Sequence, residues 1–267
     1  MTKISILGCG WLGLPLAEAL IKKGFPVNGT TTSSEKLAVL ESVKINPFLI
    51  TLGPNEIAGD IVSFLNGSEI LIINIPPKLR GPQPENFVQK IKNIIPWIEN
   101  SSVGKVLFVS SISVYAEDNS TVTEATLPQP ESESGRQLLQ AEQLLQANTA
   151  FETTILRFGG LIGEDRHPIK SLAGKKNISN PDAPVNLIDQ KDCIGIIMKI
   201  LENEIWHETF NAVAPFHPTR KHYYTQKAAA LQLPLPEFDE NEPSFGKTIS
   251  AEKIMSVLKY KFAKPNL

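Results

Sequence analysis

Cysteine is scarce: the 267 residues hold 2, Cys9 and Cys193, far apart and without Cys or His companions at metal-ligand spacing. This excludes a disulfide framework and a cysteine-built zinc site, and it fits a reduced thiol pair in a cytoplasmic protein. The 4 histidines form no metal-binding spacing either, so no metal is expected. Runs of basic residues are also missing. With 26 Lys+Arg against 28 Asp+Glu the net charge is −2, and no cationic stripe is present to hold a nucleic-acid backbone. Nucleic acid is therefore not an expected partner. No apolar stretch reaches the ~18 residues that a membrane span requires, so a membrane partner is not expected. The opening run MTKISILGCGWLGLPLAEAL is broken by Glu18 and followed by no small-residue cleavage site, which argues against a signal peptide. Internal repeats and low-complexity tracts are absent as well.

What is present is an alternation. Short β-rich apolar runs at 4–8, 26–30, 48–51, 69–75, 105–111 and 153–158 are separated by helical patterns at 12–23, 34–42, 56–65, 84–99 and 134–147. Near-continuous apolar strands joined by crossover helices specify an α/β fold, a doubly wound parallel Rossmann sheet covered on both faces. After residue 160 the pattern becomes irregular, with Pro168, Pro181 and Pro184 in a polar stretch. A helix at 191–202, a strand at 208–212, a helix at 219–231 and two further short elements are expected there. Residues 1–160 thus read as a dinucleotide-binding lobe. Residues 161–267 read as a small C-terminal substrate-type lobe of the same folding unit, with helix 191–202 packed back on the sheet. Such a lobe would lie over the carboxyl edge of the sheet, where open α/β sheets bind ligands.

The first strand runs into Gly8-Cys9-Gly10-Trp11-Leu12-Gly13 and then a helix. A lone G-x-G-x-x-G says little, but between a strand and a helix it has a mechanism. Gly8 permits the tight turn, Gly10 lets the backbone approach a pyrophosphate, Gly13 lets the helix pack close, and the helix start supplies amide donors. Trp11 and Leu12 belong to this cofactor-binding loop. About 20 residues on, an NAD-binding chain would place an Asp or Glu on the ribose hydroxyls. Here the second strand ends instead in Thr30-Thr31-Thr32-Ser33-Ser34-Glu35-Lys36. Thr31, Thr32 and Ser33 could receive a 2′-phosphate with Lys36 nearby, which favours NADP over NAD. Thr32 and Glu35 also fit a T-x-x-E capping box, and the two readings are compatible.

The fifth strand ends in VSSISVY, with Ser110, Ser111 and Tyr115. Together with GCGWLG, ILRFGGLIGEDR, NLIDQKDC, and ETFNAVAP with the Tyr223-Tyr224 pair after it, this order of segments resembles the short-chain dehydrogenase/reductase superfamily. The similarity is to its extended, NAD-dependent epimerase/dehydratase-like branch, and within it to a small atypical bacterial group, the YeeZ-like proteins. The resemblance spans about residues 8 to 224. It implies a nicotinamide cofactor, a catalytic serine at Ser111, and backbone contacts to the adenosine at Ile75 and Pro76 that need no particular side chain. It also implies cofactor contact at Ser110 and a substrate-facing arginine at Arg166 in the glycine-arginine turn. The two-spaced glycine loop departs from the three-spaced form usual in that superfamily.

A second departure matters more. The superfamily carries Tyr-x-x-x-Lys on the helix after the serine strand, the tyrosine as general acid/base and the lysine lowering its pKa. Aligning SESGRQL with that motif puts Ser134 in the tyrosine position and Leu138 in the lysine position. A serine hydroxyl without an adjacent cation cannot transfer protons readily near neutral pH. Leu138 falls on an apolar stripe with Ala141 and Leu145, and Ser134 with Gln137 fits an S-x-x-Q capping box. Arg136 lies roughly 200° around the helix from both positions, so it cannot replace the lysine. It is read either as an anion-binding residue for substrate or as a solvated surface arginine.

The catalytic candidates are then Ser111, Tyr115 and Ser134, and the substrate-binding candidates are Arg136 and Arg166. Each has a plainer alternative: local backbone bonding for Ser111, loop packing for Tyr115, a helix cap for Ser134. Asp192 reads as a helix N-cap, and His217, Arg220, Lys221 and His222 as a solvated helix start. Two functions remain open. One is an NAD(P)-dependent oxidoreductase or epimerase-like enzyme on a small polar metabolite. The other is a dinucleotide-binding sensor without turnover. Oligomeric state is not readable.

Overall fold

The computed structural model describes residues 2–79 and 85–267. Seven strands form the central sheet: β1 (Ile4–Leu7), β2 (Val27–Thr31), β3 (Asn46–Leu49), β4 (Ile70–Ile73), β5 (Lys105–Ser111), β6 (Glu152–Phe158) and, after the short pair β7 (Gly160–Ile162) and β8 (Leu187–Asp189), β9 (Thr209–Ala212). The sheet order is β9-β6-β5-β4-β1-β2-β3, with every pairing parallel. The chain winds outward from β1 in one direction and then, through β4, in the other. The reversal between β1 and β4 leaves a crevice at their carboxyl ends. The strand interiors are Ile, Leu, Val and Phe because both faces are covered by helices.

The helices are α1 (Gly13–Lys22), α2 (Leu37–Ser42), α3 (Ile61–Leu65), α4 (Phe87–Glu99), α5 (Glu133–Gln146), α6 (Ile169–Leu172), α7 (Gln190–Glu202), α8 (Arg220–Ala230) and α9 (Glu252–Val257). One face of the sheet packs α1 and α7 into a shared core, in which Leu16 and Leu20 meet Ile196, Ile197 and Ile200. The opposite face packs α3, α4 and α5, with Phe64, Ile91, Ile94, Ala141 and Leu145 buried. A smaller core around Ile169, Leu187 and the tyrosines of α8 sits in the C-terminal lobe. No helix among the described residues is long and apolar enough to cross a membrane.

Three expectations shift. The helix read at 56–65 starts only at Ile61, because Asp60 caps it by accepting from the Ser63 amide at 2.9 Å, while Ile57–Ala58 pairs antiparallel with Thr51–Leu52. The third strand lies two residues earlier than 48–51, with Pro47 inside it. As an edge strand β3 has one side free of ladder bonds, so a proline is tolerated. The helix read at 84–99 is observed from Phe87, and Pro84 lies outside the described residues.

Candidate functional site

The turn after β1 is held by both neighbouring strands. The Gly8 amide donates to the Thr30 hydroxyl at 2.8 Å and the Cys9 amide to the Thr30 carbonyl at 2.8 Å. From the other side the Asn74 side-chain amide donates to the Gly8 carbonyl at 3.1 Å. Gly8 has φ +106°, and a Cβ there would stand 2.5 Å from the Asn74 carbonyl oxygen. At Gly13 a Cβ would lie 2.1 Å from the Gly8 carbonyl oxygen, so α1 reaches the loop only with glycine in its first position. Gly10 differs, since no heavy atom lies within 4 Å of where its Cβ would be. The loop therefore keeps an open side in front of the first amides of α1, which suits a pyrophosphate. Cys9 does not react here, because burial pushes its thiol up to about 12 and it stays protonated.

A cleft of about 230 Å³ opens at this turn, lined by Thr31, Thr32, Ile75 and Pro76 and by the cations Lys36, Lys78 and Lys90. The carboxylate on its wall, Glu85, is ion-paired with Lys90, and that bond holds it below the usual carboxylate range. The Ser33 amide donates to the Thr31 hydroxyl at 3.1 Å. The expected Thr32–Glu35 capping box does not form: no side chain caps the turn at Ser34–Lys36, and the Thr31 hydroxyl satisfies the local amide instead. Leu12 is buried beneath α1, and Trp11 points toward the C-terminal lobe, where its indole N–H donates to Asp165 at 2.8 Å.

At the end of β5, the two serines face different ways. Ser110 Oγ donates to the buried Glu142 carboxylate at 2.5 Å, so its side chain serves the interior rather than the cleft. Ser111 Oγ is half-buried and accepts from the Ser113 amide at 3.1 Å. Tyr115 is 2% exposed; its hydroxyl donates to Asn211 Oδ1 at 3.0 Å and accepts from Arg157, whose guanidinium lies 4.9 Å from the ring centre. Burial pushes the Tyr115 phenol up despite Arg157, and its hydroxyl reaches no open surface.

The start of α5 corrects the expected cap. Ser132, not Ser134, is the N-cap, accepting from the Gly135 amide at 3.1 Å. The reason lies in Gln137, whose side chain accepts from the Phe87 amide at 2.7 Å and so closes the first turn of α4 instead of capping its own helix. Ser134 is left half-buried in the first turn, and Leu138 is core at 4% exposure. Arg136 projects into solvent and is held by Glu133 at 3.0 Å and by the Glu131 carbonyl at 2.8 Å. Asp192 is likewise no cap: Asp189 caps α7, and the fully buried Asp192 accepts from Tyr260 Oη, the Ala263 amide and the Lys264 amide.

A second, larger cleft of about 990 Å³ lies between Ile112, which follows Ser111, and the C-terminal lobe. Asn186, Tyr224 and Lys247 line it, with Glu117 and Arg220. Lys247 is nearly buried and donates to the Tyr115 carbonyl at 2.8 Å and to Glu117 at 2.6 Å. An equally large hollow around Trp206 and Lys105 lies at the amino ends of β4–β6, away from the glycine turn. Open α/β sheets bind ligands at the other end, so the second cleft, beside the carboxyl end of β5, is the one on the ligand-binding side of the sheet.

The family described as NAD(P)H-binding matches residues 8–192, from the glycine turn to α7. The chain belongs to this family. It is 32% identical over 270 residues to Protein YeeZ of Escherichia coli strain K12, a match covering 100% of this chain and 97% of that protein. Its fold is that of short-chain dehydrogenase/reductase and epimerase proteins. A short-chain dehydrogenase/reductase superfamily protein from Agrobacterium tumefaciens with bound NAD superposes with TM-score 0.77 at 19% identity, covering 97% of this chain and 92% of that one. UDP-glucuronic acid 4-epimerase from Bacillus cereus in complex with NAD gives TM-score 0.78 at 20% identity, covering 98% and 94%. This NAD(P)H-binding chain thus has the sheet and loop of a dinucleotide protein, and its α5 lacks the superfamily's Tyr-x-x-x-Lys.

Sequence reasoning placed the glycines and the strand ends but missed three side chains. Thr30 and Asn74, at the ends of β2 and β4, tie the glycine turn by side-chain bonds that the sequence reading did not assign to them. Lys78 joins Lys36 at the same cleft from a distant loop. A polar residue ending an otherwise apolar strand, as Asn74 ends ILII, was the available signal.

Proposed function

We propose that this protein is an NADP(H)-preferring oxidoreductase or epimerase-like enzyme acting on a small polar metabolite, without the usual Tyr-Lys pair. The observation that carries it is the polar cleft beside Ile112, large enough for a metabolite and adjacent to the end of the serine strand. A bound nicotinamide would supply or accept the hydride. Ser111 orients the substrate, and water supplies or removes the proton, since Tyr115 is committed to Arg157 and Asn211 and Ser134 has no base beside it. The preference for NADP rests on Thr32, Lys36 and Lys78 lining the same cleft, where the cations would favour a 2′-phosphate. Two of the neighbours are solved with NAD bound and one of these is UDP-glucuronic acid 4-epimerase, so a sugar derivative is the first substrate class to assay.

The test is to incubate the protein with NADPH or NADH and a metabolite extract and to follow absorbance of the reduced nicotinamide. Protein-dependent oxidation, faster with NADPH, is the expected result. Lys36→Ala should weaken NADPH binding about tenfold and leave NADH binding unchanged, as read by calorimetry. A second reading has its own observation: Leu138 sits in the core where the superfamily keeps its lysine. Tight cofactor binding without any turnover would favour a sensor over an enzyme.

A further inference from the structure

The glycine turn is clasped from the C-terminal lobe. Trp11, the residue after Gly10, donates its indole N–H to Asp165 Oδ1 at 2.8 Å, and its backbone carbonyl accepts from the Gln190 side chain at 2.7 Å. The edge of the indole lies against Gly163, where a Cβ would stand 2.8 Å from Trp11 Cζ2. The guanidinium of Arg166 lies over the same ring, 5.0 Å from its centre. All four groups belong to the segment after β7 or to the start of α7, so the nucleotide loop and the lobe share one packed junction.

In this junction neither Arg166 nor Lys170 forms an ion pair among the described residues, and the Asp165 carboxylate feels the charge of both. Glu164 is within 3.9 Å of Lys191, and Asp165 is engaged by Trp11. Lys170 is drawn to the Asp165 carbonyl at 2.7 Å. Among the described residues Arg166 makes no ion pair; it is exposed, and its planar head is held by the indole face. It lines neither the polar cleft beside Ile112 nor the cleft at the glycine turn, and meets the turn through the Trp11 ring. It is stationed instead beside Trp11, the residue that follows Gly10 in the glycine turn. The glycine turn itself carries no cation, yet the ligand class it suits bears two negative charges there.

We propose that Arg166 is a ligand of the cofactor's pyrophosphate, supplied by the C-terminal lobe across Trp11, and not a substrate-binding arginine. This rests on the dinucleotide reading of the glycine turn. Indole stacking orders the guanidinium before binding, so less freedom is lost when it meets phosphate oxygens. The cofactor site is then built from both lobes.

The test is calorimetric binding of NADPH, NADH and ADP-ribose to the wild-type chain, Arg166→Ala and Arg166→Lys, with thermal melting as the folding control. R166A should lose about tenfold or more in affinity for all three ligands, which share the pyrophosphate, with an unchanged melting temperature. R166K should fall between the two. Binding of 2′-AMP, which has no pyrophosphate, should be the same in all three proteins. The salt dependence of NADPH binding should flatten in R166A. Wild-type binding with R166A within twofold of it would overturn the assignment alone. No dinucleotide binding by the wild type would overturn both the assignment and the functional reading beneath it.

Discussion

Glu142 and Arg157 carry more of the fold than any sequence pattern announces. Their side chains are 1% and 7% exposed, the guanidinium Nη2 meets the carboxylate at 2.5 Å, and Ser110 and Tyr115 complete the set of partners. Removing one member leaves a charge in a low-dielectric interior, so Glu142→Ala should cost about 3–5 kcal/mol, read as a fall in the urea midpoint. Arg136, on the same helix, offers a contrast. Its pairing with Glu133 is open to water, and Arg136→Ala should change stability by less than about 0.5 kcal/mol in the same assay. Two acid-base pairs that each draw one partner from α5 are thus expected to differ by nearly an order of magnitude, because only one is desolvated. The sequence shows Glu142 only as a polar residue interrupting a leucine helix, and nothing in spacing alone says that its partner lies 15 residues on, on β6.

At the scale of elements, the strands were legible because both sides of a parallel sheet are buried, leaving unbroken apolar runs such as ILII and KVLFVSS. The ends of elements were less so. Helix α5 was placed within one residue, but its cap was assigned to Ser134 when Ser132 does the work, since two serines at that spacing present the same local signal. Which one caps is decided by Gln137, which answers to α4. The site divides the same way. The glycine turn is a local motif and was readable, while its side-chain ties from Thr30 and Asn74 depend on which strands flank β1. Asp192 shows the limit most clearly: it looks like a helix-start carboxylate, yet it accepts three bonds from the segment 260–264. Asp192→Asn would turn an amide donor toward one of those N–H groups. The variant should raise amide hydrogen exchange and proteolytic nicking in that segment at a cost of about 2–4 kcal/mol.

For the molecule as a whole, acid should act first through histidine. Burial, aided by Lys227 and Lys170, pushes His167 down to about 4 from its ordinary 6.5, and burial also lowers His217. The folded state keeps His167 neutral while the unfolded chain takes up a proton near 6.5, so stability is whole above that pH. Part of it is lost as the pH falls from 6.5 toward 4. The paired carboxylates Glu85 and Glu202, held low by Lys90 and by Lys23, lose their contribution only further down. Urea midpoints at pH 7.5 and 5 should therefore differ in the wild type and differ less in His167→Gln. An equal drop in both proteins would remove His167 from the account.

The core under α1 is closed by residues far along the chain. Leu12, Leu16 and Leu20 are covered by Cys193, Ile196 and Ile200 of α7, and Ile254 and Leu258 join the same cluster. During synthesis, the leucine face of the first helix leaves the ribosome roughly 175 residues before its cover, an interval of about 10–35 s at typical elongation rates. Over that interval the nascent chain carries an unsealed nucleotide loop on an uncovered apolar face. Its demand for chaperone protection should end only once α7 has emerged.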